Sequence, residues 1–167
     1  MTLLRVQDLT VAFRTERGEV TAVEDVSFEL AAGEILGVVG ESGSGKSVSA
    51  LAVMGLLPRP PARLVSGSIQ FAGEELTRAS ESRMERIRGA GISMVFQEPM
   101  TSLNPVFRIG EQIAEALRLH EGLAPREALS RAIAMLDAVR IPSAARIARE
   151  FPHQLDRKST RLNSSHI

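Results

Sequence analysis

Apolar residues alternate with polar or small ones at Leu9, Val11 and Phe13, and again at Val26, Phe28 and Leu30 beyond an Arg17-Gly18-Glu19 break. A period of two marks a strand with one buried face, and a glycine in the break marks a turn, so this region predicts two antiparallel strands. After a turn at Ala32-Gly33, the run Ile35-Leu36-Gly37-Val38-Val39 is apolar without alternation, which predicts a strand buried on both faces. Lys46 to Leu57 predicts a helix, stopped by Pro58 and Pro60-Pro61, because proline lacks the amide proton and clashes with the preceding turn. Ser68 to Phe71 and Ile92 to Phe96 predict further strands, with a short charged helix between them around Arg83 to Arg88.

Beyond Asn104-Pro105 the period lengthens. Ile109, Ile113, Ala116 and Leu117 follow helical spacing, as do Leu129, Ala132, Ile133 and Leu136 behind Pro125, a residue suited to the first position of a helix. The shift of pattern near Gln97 predicts the N-terminal part of an α/β core over residues 1–97 and a helical subdomain over 98–155.

Composition narrows the picture. The chain has 167 residues, zero formal net charge and 44% hydrophobic residues, enough for one substantial core with a subdomain. A neutral chain has no bulk attraction for nucleic acid or anionic lipid, so no nucleic-acid partner is expected and any membrane contact would run through a partner protein. No run approaches the roughly eighteen apolar residues that span a bilayer, and MTLLRVQDLT lacks the layout of a signal peptide, so a cytosolic chain is expected. The absence of cysteine removes disulfides and thiolate metal sites. His120, His153 and His166 have no paired spacing for a metal and read as solvated.

The chemistry is concentrated in Gly40-Glu41-Ser42-Gly43-Ser44-Gly45-Lys46-Ser47, which satisfies G-x-x-x-x-G-K-[ST] between a predicted strand and a predicted helix. Glycines let the backbone curl so that amides converge on phosphate oxygens, and the helix behind adds unsatisfied N–H groups and the positive end of its dipole. Lys46 is the only lysine before Lys158; elsewhere in that stretch the basic residues are arginine. A compact ammonium suits a tight loop where a planar guanidinium would fit poorly. Gly40 to Val48 are therefore read as the nucleotide-binding run, with Lys46 on the β- and γ-phosphates of ATP and the Ser47 hydroxyl on Mg²⁺.

A second motif selects among phosphate-binding loops. Ser93-Met94-Val95-Phe96-Gln97-Glu98-Pro99 continues as Met100-Thr101-Ser102-Leu103-Asn104-Pro105, and here the chain resembles the ATP-binding subunits of ABC transporters of the dipeptide/oligopeptide importer group. The resemblance implies a P-loop NTPase (RecA-like) α/β core with an antiparallel β subdomain and a helical subdomain. It also implies that Gln97 reaches Mg²⁺ and the attacking water, and that Phe13 stacks on adenine, although an alternating strand accounts for Phe13 equally well. Its implied partners are a second ATPase subunit, two membrane-spanning permease subunits and, indirectly, a substrate-binding protein, at the cytoplasmic face of the inner membrane. The competing class is an ABC ATPase outside transport, in DNA repair or chromosome maintenance.

Two runs imitate catalytic residues. Glu98 sits beside Pro99 in a loop and reads as a solvated carboxylate, while Ile133-Ala134-Met135-Leu136-Asp137 copies the Walker B pattern but fits the helix and lacks the following glutamate. The resemblance stops at Leu155. Asp156 to Ile167 contain no glycine, alanine, valine or glutamate and read as a foreign or disordered tail. On this reading the 167 residues lack the Walker B aspartate, the catalytic glutamate and the signature motif, and bind nucleotide at most.

Overall fold

The computed structural model describes residues 2–96 and 103–155. Gln97, Glu98 and the tail from Asp156 onward lie outside the described residues. The elements are β1 (Thr2–Thr15), β2 (Gly18–Ala31), α1 (Lys46–Val53), β3 (Ala62–Phe71), β4 (Glu74–Glu75), α2 (Glu81–Ile87), α3 (Ile109–Glu121), α4 (Pro125–Ala138), α5 (Ala144–Ile147) and a 3₁₀ turn at Pro152–Gln154. The chain divides into two units between Ser93 and Met94.

In the first unit the strands form one antiparallel sheet in the order β2-β1-β3-β4. The alternation of β1 does what period two requires: Leu9 and Val11 are fully buried, and they pack with Val23, Ile69, Ala52 and Val53. A bulge resets the phase between Val6 and Leu9, which allows both to face the core. Asp8 takes φ 49° there, with its amide donating to the Ser27 hydroxyl at 2.8 Å. Opposite it, Gly67 is obligatory, because a β-carbon would meet the carbonyl oxygens of Gln7 and Asp8 at 2.7 Å.

Two predicted strands are not formed. Ile35 to Val39 carries no strand, and Ile35 and Val39 are 95% and 94% exposed. Ile92 to Phe96 makes one isolated bridge, Ile92 to Arg88. A buried strand needs neighbours on both edges to take its backbone N–H and C=O groups, and no strand among the described residues pairs with either segment. Apolar composition without a partner does not make a strand. The helix after the glycine loop also ends at Val53, short of the predicted Leu57. Gly55 at φ 62° closes it, with the Leu56 amide on the Leu51 carbonyl at 2.9 Å and the Gly55 amide on the Ala52 carbonyl at 3.0 Å.

The second unit is helical. Pro125 opens α4 at its first turn, where its missing amide proton costs nothing, and Ala128, Ala132 and Leu136 form the buried stripe. Ala114 and Leu117 of α3 pack against Ala128 and Ala132. The run Ile133 to Asp137 lies in α4, as its helical spacing predicts, with Asp137 exposed. The Gln112 side chain staples the turn before α3 by accepting from the Asn104 amide and donating to the Asn104 and Phe107 carbonyls at 3.0 Å.

Candidate functional site

The glycine loop leads into α1 through Gly45, which is the N-cap in the left-handed conformation, φ 88°. A glycine N-cap offers no side-chain oxygen, and no acidic residue stands in the first turn of α1. The amides at the start of this helix are thus left for another acceptor, and the dipole there favours an anion. The Ser49 amide is the first to find an intrahelical partner, the Gly45 carbonyl at 2.9 Å.

Lys46 is drawn back over the loop. Its Nζ donates to the Gly40 and Glu41 carbonyls, each at 2.7 Å, and to the Ser44 hydroxyl at 3.0 Å, which engages all three donors of the ammonium. The Ser44 amide bonds the Glu41 carbonyl at 3.2 Å and tightens the same curl. Gly40 completes the fit, since a β-carbon at 40 would stand 2.6 Å from the Ser44 hydroxyl oxygen. The result is a half-buried cation ringed by exposed loop backbone at an open helix end. Such a donor set suits a polyphosphate.

Ser47 is exposed, and its hydroxyl, unlike those of Ser44 and Ser49, makes no hydrogen bond among the described residues. It is free to ligate a cation held chiefly by phosphate oxygens. No cluster of three or more His, Cys, Asp or Glu side chains suited to a metal occurs among the described residues. Val48 packs its side chain against the core, so only its backbone can serve a ligand. Glu41 and Ser42 are exposed at the tip of the loop.

Phe13 sits near the hairpin end of β1, opposite Val20 on β2 and Ala62 on β3, half-buried against the core. Beside it, Arg14, Glu19, Pro60, Pro61, Ala62 and Arg63 line a hollow of about 470 Å³. Arg63 is already paired with Glu19 at 2.9 Å, and the hollow brings together no predicted binding residue. The open helix amides and the Lys46 ammonium converge at the glycine loop instead. One contributor gave no signal in the sequence: Arg88, whose guanidinium reaches the far end of α1 and donates to the Met54 and Gly55 carbonyls at 2.8 and 3.0 Å.

The family model described as ABC transporter matches residues 23–159. The chain belongs to the ABC transporter family. A Brucella abortus protein provisionally named as a peptide import ATP-binding protein is 54% identical over 153 residues, covering 92% of this chain and 46% of its own length. The oligopeptide transport ATP-binding protein of Salmonella typhimurium is 49% identical over 152 residues, covering 91% of this chain and 45% of its own. The glutathione import ATP-binding protein of the same organism is 51% identical over 158 residues, 92% of this chain and 25% of its own. The chain therefore spans less than half the length of these relatives. Its fold is that of the ATP-binding cassettes: a dimeric structure of the cassette MJ0796 in a post-hydrolysis state bound to ADP and Pi superposes with TM-score 0.78 at 22% identity, over 92% of this chain and 63% of that one.

No helix among the described residues is long and apolar enough to cross a membrane.

Proposed function

We propose that this ABC protein is the ATP-binding subunit of a peptide importer, in which ATP binding and hydrolysis power uptake. The observation that carries the nucleotide role is the Lys46 ammonium held inside a curl of backbone at the uncapped start of α1. The relatives named for peptide, oligopeptide and glutathione import support the transport role. Peptide is proposed as the cargo because two of these three names specify it.

In this reading Gly40 to Val48 supply amides to the phosphates, and Lys46 turns from its loop carbonyls to the β- and γ-phosphate oxygens. The Ser47 hydroxyl and the Gln97 carboxamide would hold Mg²⁺, and Gln97 would also orient water. Bound there, Mg²⁺ would supply charge neutralisation to the phosphates. Phe13 offers its ring to adenine. Residues 1–97 act as the nucleotide-binding part and 98–155 as a helical subdomain that faces the membrane subunits. The partners are a second ATPase subunit, two permease subunits and a substrate-binding protein, and the location is the cytoplasmic face of the inner membrane.

For the 167 residues by themselves we infer binding without turnover. Asp137, which imitates the metal-anchoring aspartate in sequence, is an exposed residue within α4. Equilibrium titration with Mg-ATP tests the nucleotide role, with saturable binding expected and its absence overturning it. Steady-state phosphate release tests the second inference: turnover that disappears in Lys46→Ala would overturn it. Peptide uptake by cells lacking the gene tests the cargo, and unchanged uptake would count against import.

A further inference from the structure

α1 has two ends with opposite needs. Its N-terminal end, at Lys46, leaves its amides open and has no side-chain cap to resist fraying while no ligand is bound. The helix has eight residues, far short of the length at which an isolated helix holds itself together. Its integrity must therefore come from the packing of Val48, Leu51, Ala52 and Val53 against the core and from the other end.

That other end is closed twice. Gly55 takes the left-handed turn, with the Leu56 and Gly55 amides returning to the Leu51 and Ala52 carbonyls, and the Arg88 guanidinium takes two carbonyls further on, Met54 through Nε at 2.8 Å and Gly55 through Nη2 at 3.0 Å. A third contact, Nη1 to Glu81, fixes the fork to the first turn of α2. The Arg88 side chain is only 20% exposed, and a cation at a helix C-terminus also complements the dipole. Arg88 itself belongs to a tight turn: its amide bonds the Met84 carbonyl at 2.8 Å, the Gly89 amide bonds the Ile92 carbonyl at 2.8 Å, and the chain runs on from Ile92 toward Gln97. One side chain thus joins the helix behind the phosphate loop to the root of the segment that carries Gln97.

We propose that Arg88 is a positioning residue of the nucleotide site, acting through α1 to hold the Lys46–Ser49 amides in register for phosphate. This rests on the nucleotide-binding role proposed for the loop. Lysine cannot replace it fully, because a single ammonium lacks the rigid planar fork that spans two carbonyls and a carboxylate at once. The helix should form without Arg88 but open more often at its start, so the effect belongs to phosphate recognition and spares adenosine.

The test uses the full chain with Arg88→Met and Arg88→Lys, read by amide hydrogen exchange and by titration with Mg-ATP and with adenosine. Arg88→Met should raise exchange at the hydrogen-bonded α1 amides from Ser49 onward while the Ile69 amide, held by the Glu75 carboxylate, keeps its protection, and should weaken ATP about tenfold with adenosine unchanged. Arg88→Lys should fall between, and supplies the same readout if the methionine variant does not fold. In a Lys46→Ala background the Arg88 effect on ATP should shrink, since both act on one ligand group. Unchanged exchange at α1, equal losses for ATP and adenosine, or full additivity with Lys46→Ala would each overturn the positioning role. If the unsubstituted chain binds no ATP, the nucleotide reading fails and takes this role with it, a failure visible before any substitution is made.

Discussion

The α-carbon of Gly45 faces the Ala22 carbonyl so closely that a β-carbon at 45 would stand 2.7 Å from its oxygen and 2.9 Å from a methyl group of Val23. The last glycine of the loop is thereby seated against β2, and the start of α1 is fixed relative to the sheet by contact as well as by chain connection. Its φ of 88° adds a second reason for glycine. Space and backbone both exclude a side chain.

Gly45→Ala should therefore destabilise the chain more than Gly43→Ala. Gly43 also has positive φ, at 83°, but nothing lies within 4 Å of where its β-carbon would be. Left-handed strain alone costs about 1–2 kcal/mol, and overpacking adds about 1–3 kcal/mol at Gly45 only. Urea denaturation of the two variants checks the order. Equal midpoints would mean that the loop moves freely away from β2.

Lys46→Ala should weaken Mg-ATP by about one to two decades, since a charged hydrogen bond to phosphate is worth about 1.5–3 kcal/mol. The alanine also releases the Gly40 and Glu41 carbonyls from their common donor, so the loop should loosen before any ligand arrives. Adenosine, which lacks phosphate, separates the two effects. Isothermal titration should show ATP losing far more than adenosine, and equal losses would assign Lys46 to loop integrity alone.

The curl of the loop was legible because what forms it is near in sequence: its glycines, Lys46 and the carbonyls that Lys46 folds back onto lie within one short run, whereas the β2 residues that seat Gly45 do not. The β1–β2 hairpin was legible for the same reason, with alternation on both arms and Gly18 between them. Pro125 announced α4, and helical spacing placed the run from Ile133 to Asp137 on it. What failed was long-range. Ile35 to Val39 looks like a buried strand because it is apolar, but a strand is completed by partners that composition cannot supply. Arg88 gave no signal, because its guanidinium works on Met54 and Gly55, which lie far from it in the sequence. The phase of β1 was hidden too, since the bulge at Asp8 depends on Gly67 of another strand.

Acid should act through the β3–β4 region. Burial works to raise the Glu75 carboxyl, but hydrogen bonds from the Thr77 hydroxyl and from the Ile69 and Thr77 amides outweigh it, and the group sits below its ordinary 4.5. The Arg83 hydrogen bond lowers Glu74 likewise. A carboxyl lowered by folding contributes stability that is complete above its unfolded value and is lost as pH falls through the folded one. Glu75→Gln should therefore be less stable than the parent at neutral pH by about 1 kcal/mol, the difference between a charged and a neutral acceptor. That gap should close as pH is lowered through and below 4.5. Thermal melts of both proteins across this range provide the check, and a gap that stays constant with pH would remove Glu75 from the acid response.

In the helical unit, Gly110 at the start of α3 allows α3 and α5 to meet backbone to backbone. Its amide donates to the Ala148 carbonyl at 2.9 Å, and a β-carbon at 110 would stand 2.8 Å from that oxygen and 2.9 Å from the Ala148 methyl. Gly110→Ala should cost about 1–3 kcal/mol by overpacking, against the small gain in helix propensity that alanine brings to an ordinary helical position. Ala148→Gly removes the obstructing methyl but not the carbonyl oxygen, so the double variant should recover part of the loss and not all of it. Differential scanning calorimetry of the two single variants and the double would measure that coupling. Full recovery would place the conflict at the methyl alone, and no recovery would place it at the backbone, where the hydrogen bond between the two segments already sets their spacing.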